Sequence, residues 1–169
     1  MISRSRPLAS SPNINTLWAE LAVEECCRLG ASVSSLPLPS NHPRTNPIPP
    51  PSQYFCIAPG SRSSPLALAV ASNPRARLVV CIDERSLAYH AVGFGRGRGK
   101  PAVVITSSGT AVSNLYPAVV EASEGQVPLL LLTADRPHEL RDSGANQTIH
   151  QVKGTERDLT KKKGLGIRA

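Results

Sequence analysis

Four short apolar runs recur along the chain: "YFCIA" (54–58), "RLVVCI" (77–82), "AVVIT" (102–106) and "PLLLLTA" (128–134). Each has the length of a strand, and none alternates cleanly with polar residues. Between them lie helical patterns. "LALAVAS" ends at Asn73-Pro74, where the proline disfavours a helical residue before it. Residues 84–95 form the next helical stretch, and "AVSNLYPAVVEAS" forms a third. Strands alternating with helices predict an α/β fold with a parallel sheet covered on both faces. Upstream, "NTLWAELAVEECCRL" (15–29) predicts a further helix, with Asn15 as N-cap and Gly30 as its stop.

In a parallel sheet of this kind, ligands bind at the carboxyl ends of the strands. The polar clusters of this chain fall there: "PGSRSS", "DERS", "SSGT" and "ADRP". Together they predict one functional rim.

Three segments depart from the pattern. Residues 1–12 are basic, Ser-rich and free of acids, as a transit-like leader or a disordered end would be. Residues 31–53 hold seven of the 16 prolines and read as an insert within a domain spanning 13–152. Residues 153–169 are polar and basic, a tail unlike the rest. The charge follows these boundaries. The net charge is +7, and the three segments carry +2, +1 and +4 of it. The apparent domain is therefore neutral, which argues against a nucleic-acid surface on it. No apolar run approaches the roughly 20 residues of a membrane span.

Cys56 and Cys81 lie within apolar strand runs, and the adjacent Cys26 and Cys27 could pair only with strain. Reduced, mostly buried thiols are expected. His90, His138 and His150 have no metal or triad spacing, and no metal ligands are assigned. "GFGRGRGK" (93–100) departs from the dinucleotide fingerprint and reads as a helix end running into a turn, with an RNA-contacting stretch as the alternative.

The rim residues carry the chemistry. "PGSRSSP" and "SSGTA" are Gly/Ser loops whose backbone N–H groups could hold carboxylate or phosphate; Ser63, Ser107 or Ser108 could equally be ordinary helix caps. Neither loop is a P-loop or a nucleophile elbow. Arg62 and Arg136 would suit a di- or tricarboxylate, or else pair on the surface, Arg136 with Asp135 or Glu139. Glu84 follows a strand directly. It is either a first-turn acid favoured by the helix dipole or a carboxylate that shares a proton with a ligand nitrogen.

Taken together, "CIAPGSRSSPLALA", "IDERSLAYHAVGFGRGRGKPAVVITSSGTAVSNLYPAVVEAS" and "VPLLLLTADRPHELRDSGANQTIHQ" closely resemble the N-terminal domain of the 2-succinyl-5-enolpyruvyl-6-hydroxy-3-cyclohexene-1-carboxylate synthases. These are thiamine-diphosphate enzymes of menaquinone and phylloquinone biosynthesis. "NTLWAELAVEECCRLG" resembles the start of that domain in its plant form. The resemblance covers residues 13–30 and 54–152 and implies a pyrimidine-binding domain. It implies decarboxylation of 2-oxoglutarate and addition of the succinyl unit to isochorismate. It makes Glu84 the carboxyl group on the aminopyrimidine ring nitrogen. It assigns Ser61, Arg62, Arg136, Asn146 and Gln147 to the substrate carboxylates and the covalent adduct, and Ser107, Ser108, Gly109 and Thr110 to the wall of the same site.

The resemblance also implies Mg2+ and diphosphate ligands in a further domain outside these 169 residues, homo-oligomers with the cofactor between subunits, and a plastid location. By itself the chain would be half of a site with little turnover. Two alternatives stay open: another thiamine-diphosphate carboligase of the acetolactate-synthase type, and a non-catalytic truncated isoform.

Overall fold

β1 (Gln53–Ile57), β2 (Ala76–Val80), β3 (Ala102–Thr106) and β4 (Leu129–Thr133) form one parallel sheet in the order β2-β1-β3-β4. The computed structural model describes residues 13–32 and 53–151. The leader, the tail and almost all of the proline-rich insert expected from the sequence lie outside those residues. So does all of the net charge; the described residues sum to zero.

The sheet is α/β as its apolar pattern predicts, and it has a core on each face. Phe55, Ile57, Val103, Ile105, Leu130 and Leu132 pack under α1 (Ile14–Ser32) and α2 (Ser64–Ser72). Tyr54, Cys56, Ala102 and Val104 pack under α3 (Glu84–Arg98) and α5 (Tyr116–Glu124), with Leu87, Ala91, Leu115 and Val119. Every residue of β1 and β3 is buried, which is why their sequences carry no alternation.

β2 differs from that expectation. It is an edge strand, and its residues are intermediate or exposed. Val79 and Cys81 pack on the α3 side, whereas Val80 is 59% exposed. An apolar run alone does not distinguish a central strand from an edge strand, because the neighbours that cover it lie elsewhere in the chain.

The helix ends also differ in detail. Asn13, not Asn15, caps α1: its Oδ1 accepts from the Thr16 N–H at 3.0 Å and from the Thr16 hydroxyl at 3.2 Å. The helix runs through Gly30 to Ser32. The stretch read as one helix after "SSGTA" is two, α4 (Thr110–Ser113) and α5. Pro117 has no N–H for the Ser113 carbonyl and its ring crowds that carbonyl, so the chain turns at Asn114 and Leu115 and restarts with the proline in the first turn of α5. The glycine-rich run ends α3. Gly99 adopts a left-handed φ of 63° and its N–H closes on the Gly95 carbonyl at 2.8 Å. Gly95 itself lies so near β4 that a Cβ would sit 2.8 Å from the Pro128 carbonyl oxygen.

α1 is tied to the α2–β2 turn by Glu24, which accepts from the Arg75 guanidinium and from Asn73 Nδ2 at 3.2 Å. The Arg75 hydrogen bond outweighs desolvation and holds the Glu24 carboxyl below its ordinary 4.5. A lowered carboxyl stabilises the fold above that value and loses its contribution as pH falls through the folded-state value. The pair is half exposed, so its worth is about 0.2–1 kcal/mol. Arg75→Ala is accordingly expected to cost that much at pH 7 and progressively less as pH falls below 4.5, measured by urea unfolding across that range.

All four cysteines are free thiols. Burial pushes Cys26 up to about 11 and Cys56 up to about 12, so both are inert. Cys81, at the open edge, is partly exposed.

Candidate functional site

The carboxyl ends of the four strands lie along one edge of the sheet, and the loops that leave them touch. β1 leads through Pro59 and Gly60 into a 3-10 turn at Ser61–Ser63. β3 leads into Ser107, Ser108 and Gly109. The two loops pack so closely that a Cβ on Gly60 would lie 2.5 Å from Ser107 Cβ. Only a residue without a side chain fits there.

The serines of these loops are not the caps the sequence allowed. Ser63 precedes α2, but its hydroxyl turns back to donate to the Gly60 carbonyl at 3.1 Å. Ser108 donates to the carbonyl of Gln147 at 3.0 Å. Ser107 and Ser108 are buried, Gly109 opens α4 with φ 75°, and Thr110 is the exposed first residue of that helix.

Glu84 stands at the edge between β2 and α3. The helix cap is its neighbour: Asp83 accepts from the Ser86 N–H at 2.7 Å, and hydrogen bonding from the Ser86 side chain and then from that N–H keeps its carboxyl below the usual range. Glu84 is thereby released from capping. Its Oε2 accepts from Asn114 Nδ2 at 3.0 Å, a contact that reaches from α3 to the break between α4 and α5. The carboxylate remains partly exposed. Asn114 was invisible as a site residue in the sequence, since only folding brings it beside Glu84.

Arg136 follows β4. Its Nη2 donates to the Asn146 carbonyl at 2.6 Å, and its Nε is buried with no hydrogen-bond partner among the described residues. Among the described residues its guanidinium pairs with neither Asp135 nor Glu139. Asp135 accepts from the Arg136 backbone N–H at 2.7 Å and from Arg141 at 3.2 Å, and Glu139 pairs with His138. Desolvation, and then the charge of Arg62, push the Arg136 guanidinium below its ordinary value. Arg62 Nη1 donates to Ser61 Oγ at 3.2 Å, and its head is exposed. Two guanidinium groups that sense each other, one with an orphaned buried N–H, favour an anionic ligand.

Asn146 and Gln147 complete the edge. Both are exposed, and Gln147 holds a left-handed φ of 56°. That conformation costs a non-glycine residue about 1 kcal/mol or more. It is held by the Ser108 hydrogen bond and by contact with Gly109, where a Cβ would lie 2.8 Å from Gln147 Cα. The structure thus brings Ser61, Arg62, the Ser107–Thr110 loop, Arg136, Asn146 and Gln147 into one connected set of loops, with Glu84 joined through Asn114. His90, His138 and His150 lie apart, bonded to Tyr54, Glu139 and Asp142 respectively.

Comparison with known proteins places this arrangement. Residues 52–154 match the family described as thiamine pyrophosphate enzyme, N-terminal TPP binding domain. The chain is similar to "Protein PHYLLO, chloroplastic" of Arabidopsis thaliana, 54% identical over 145 residues, which is 86% of this chain and 7% of that protein. It is similar to the 2-succinyl-5-enolpyruvyl-6-hydroxy-3-cyclohexene-1-carboxylate synthases of Chlorobaculum parvum and Rubrobacter xylanophilus. The first is 51% identical over 138 residues, covering 82% of this chain and 20% of the relative. The second is 49% identical over 141 residues, covering 83% and 21%. The chain therefore spans about a fifth or less of the length of these relatives. With a parallel sheet whose strand ends carry the matched motifs, it belongs to the thiamine pyrophosphate enzyme family, through that family's N-terminal TPP binding domain.

Proposed function

We propose that this chain supplies the pyrimidine side and the carboxylate-holding side of a site that decarboxylates 2-oxoglutarate and adds the succinyl unit to isochorismate, in menaquinone or phylloquinone biosynthesis. The observation that carries the reading is the buried Nε of Arg136, without a partner among the described residues, beside Arg62 and on the same strand ends as Glu84. The relatives' printed names supply the product.

The residues fit thiamine diphosphate as one half of its site. Thiamine diphosphate, when bound, supplies the carbon nucleophile and the electron sink that removal of carbon dioxide from a 2-oxo acid requires. Glu84 would face the aminopyrimidine ring nitrogen and hold the proton shared with it. Asn114, bonded to one carboxylate oxygen, would leave the other for the ligand. The Ser107–Thr110 loop would line the ring. Arg62 and Arg136 would take the substrate carboxylates, with Ser61, Asn146 and Gln147 around them. Bidentate guanidinium contacts suit a ligand with two carboxylates better than one with a single carboxylate.

The diphosphate and its Mg2+ would be held by a domain outside this sequence, and the cofactor would lie between subunits of a homo-oligomer. The plastid is the proposed location, from the chloroplastic relative.

The test is a calorimetric titration of the chain with 2-oxoglutarate. Saturable binding is expected, and Arg136→Ala should weaken it about tenfold or more, the worth of one charge-assisted hydrogen bond. Binding that Arg136→Ala leaves unchanged would contradict the assignment.

A further inference from the structure

One buried polar side chain near the rim has no part in the functions so far assigned. Gln151 is 7% exposed. Its Oε1 accepts from the Gly109 N–H at 2.7 Å, and its Nε2 donates to the Ala134 carbonyl at 3.0 Å. Those two backbone groups belong to different loops, one leaving β3 and the other leaving β4. A single amide therefore satisfies a donor on one and an acceptor on the other. It does so 42 residues along the chain from Gly109.

The same segment makes two further ties. The carbonyl of Gln147 accepts from Ser108, and the carbonyl of Asn146 accepts from Arg136. Gly109 backs onto Gln147 with no room for a side chain. Residues 146–151 thus hang between Arg136 on one side and the Ser108–Gly109 loop on the other. A ligand held on the Nε of Arg136, which has no partner among the described residues, leaves Nη2 on the Asn146 carbonyl and so steadies a segment fastened at its far end to Gly109.

We propose that Gln151 is a positioning residue, which locks the Ser108–Gly109 loop to the end of β4 so that the carboxylate-holding and ring-lining parts of the rim move as one body. This rests on the functional reading above for what the two parts bind, but the lock itself does not.

The test is amide hydrogen exchange on the full chain, with Gln151→Met as the variant. Methionine keeps the volume and removes both hydrogen bonds. In the unsubstituted chain the Gly109 amide is expected to be protected, and 2-oxoglutarate to slow it further. In Gln151→Met, Gly109 should exchange about tenfold faster or more. The amides of Val104 and Ile105 in β3 should stay protected, and 2-oxoglutarate should no longer affect Gly109. A side chain that merely fills space would leave Gly109 unmoved. Rapid exchange at Gly109 in the unsubstituted chain overturns the proposal, as does equal protection in the variant. If the variant does not fold, the unsubstituted chain decides: protection that deepens with 2-oxoglutarate supports the lock, and protection unaffected by bound 2-oxoglutarate overturns the coupling. Failure of 2-oxoglutarate to bind at all overturns the functional reading, and Gly109 protection then judges the lock alone.

Discussion

Glu84→Gln is expected to remove at least about 100-fold of kcat in any assembled enzyme that uses this rim. A suitable host is the Chlorobaculum parvum synthase with its matching segment replaced by residues 53–151, since the two sequences are 51% identical where they align. The substitution keeps size and hydrogen-bonding reach but ends the capacity to hold a proton, and positioned proton transfer contributes about 10²–10⁴ in rate. Two features make the change local. Asp83 caps α3, so the helix does not depend on Glu84. Asn114 can still bond a glutamine side-chain oxygen, so the side chain keeps its place. The loss should therefore fall on kcat, with the melting temperature nearly unchanged. Steady-state kinetics and a thermal melt on the same preparation check both halves.

Gly109→Ala should be among the costliest small substitutions at the described residues. Two effects add there. The residue has φ 75° with ψ −131°, outside the left-handed helical well and open essentially to glycine, which costs an L side chain about 1–3 kcal/mol. Its Cβ would also lie 2.8–2.9 Å from three backbone atoms of Gln147, none of which belongs to a flexible side-chain end. The loop would have to give up the Gln147 and Gln151 contacts to make room. Gly99 is the control. It has φ 63°, and a Cβ there meets nothing within 4 Å. Gly99→Ala should cost about 1–2 kcal/mol and Gly109→Ala about 3 kcal/mol or more, by urea unfolding. A Gly109→Ala cost no larger than that of Gly99→Ala would mean that neither the backbone conformation peculiar to Gly109 nor the close packing of the two loops adds to the ordinary left-handed penalty.

What could be read from the sequence, and what could not, divides along physical lines. The alternation of apolar runs with helical stretches yields the parallel sheet, because β1 and β3 are buried on both faces and carry continuous apolar residues. The strand-end clusters are legible for the same reason: in a parallel sheet all the carboxyl ends fall on one edge. Edge position is not legible, so β2 reads like the central strands although Val80 is open to solvent. The α4–α5 break was signalled by Pro117, but the helical pattern on either side masked it.

Arg62, Glu84 and Arg136 stand out as charges beside apolar strand ends. Asn114 and Gln151 do not. They are uncharged amides, and their importance comes from partners 30 and 42 residues away. Likewise Ser108 sits near a cap position, yet its hydroxyl serves a loop-to-loop contact with Gln147, whereas that of Ser63 makes a local bond to the Gly60 carbonyl three residues back.

The central claim is that this rim selects and processes a 2-oxo dicarboxylic acid. The most direct measurement is the product formed by the chimera when it is given isochorismate, thiamine diphosphate, Mg2+ and equal concentrations of 2-oxoglutarate and pyruvate. Pyruvate lacks the second carboxylate that Arg62 and Arg136 would hold. The prediction is consumption of 2-oxoglutarate with formation of the succinyl adduct of isochorismate, and loss of that preference in Arg136→Ala. Preferential consumption of pyruvate, or a 2-oxoglutarate preference that survives Arg136→Ala, would contradict it.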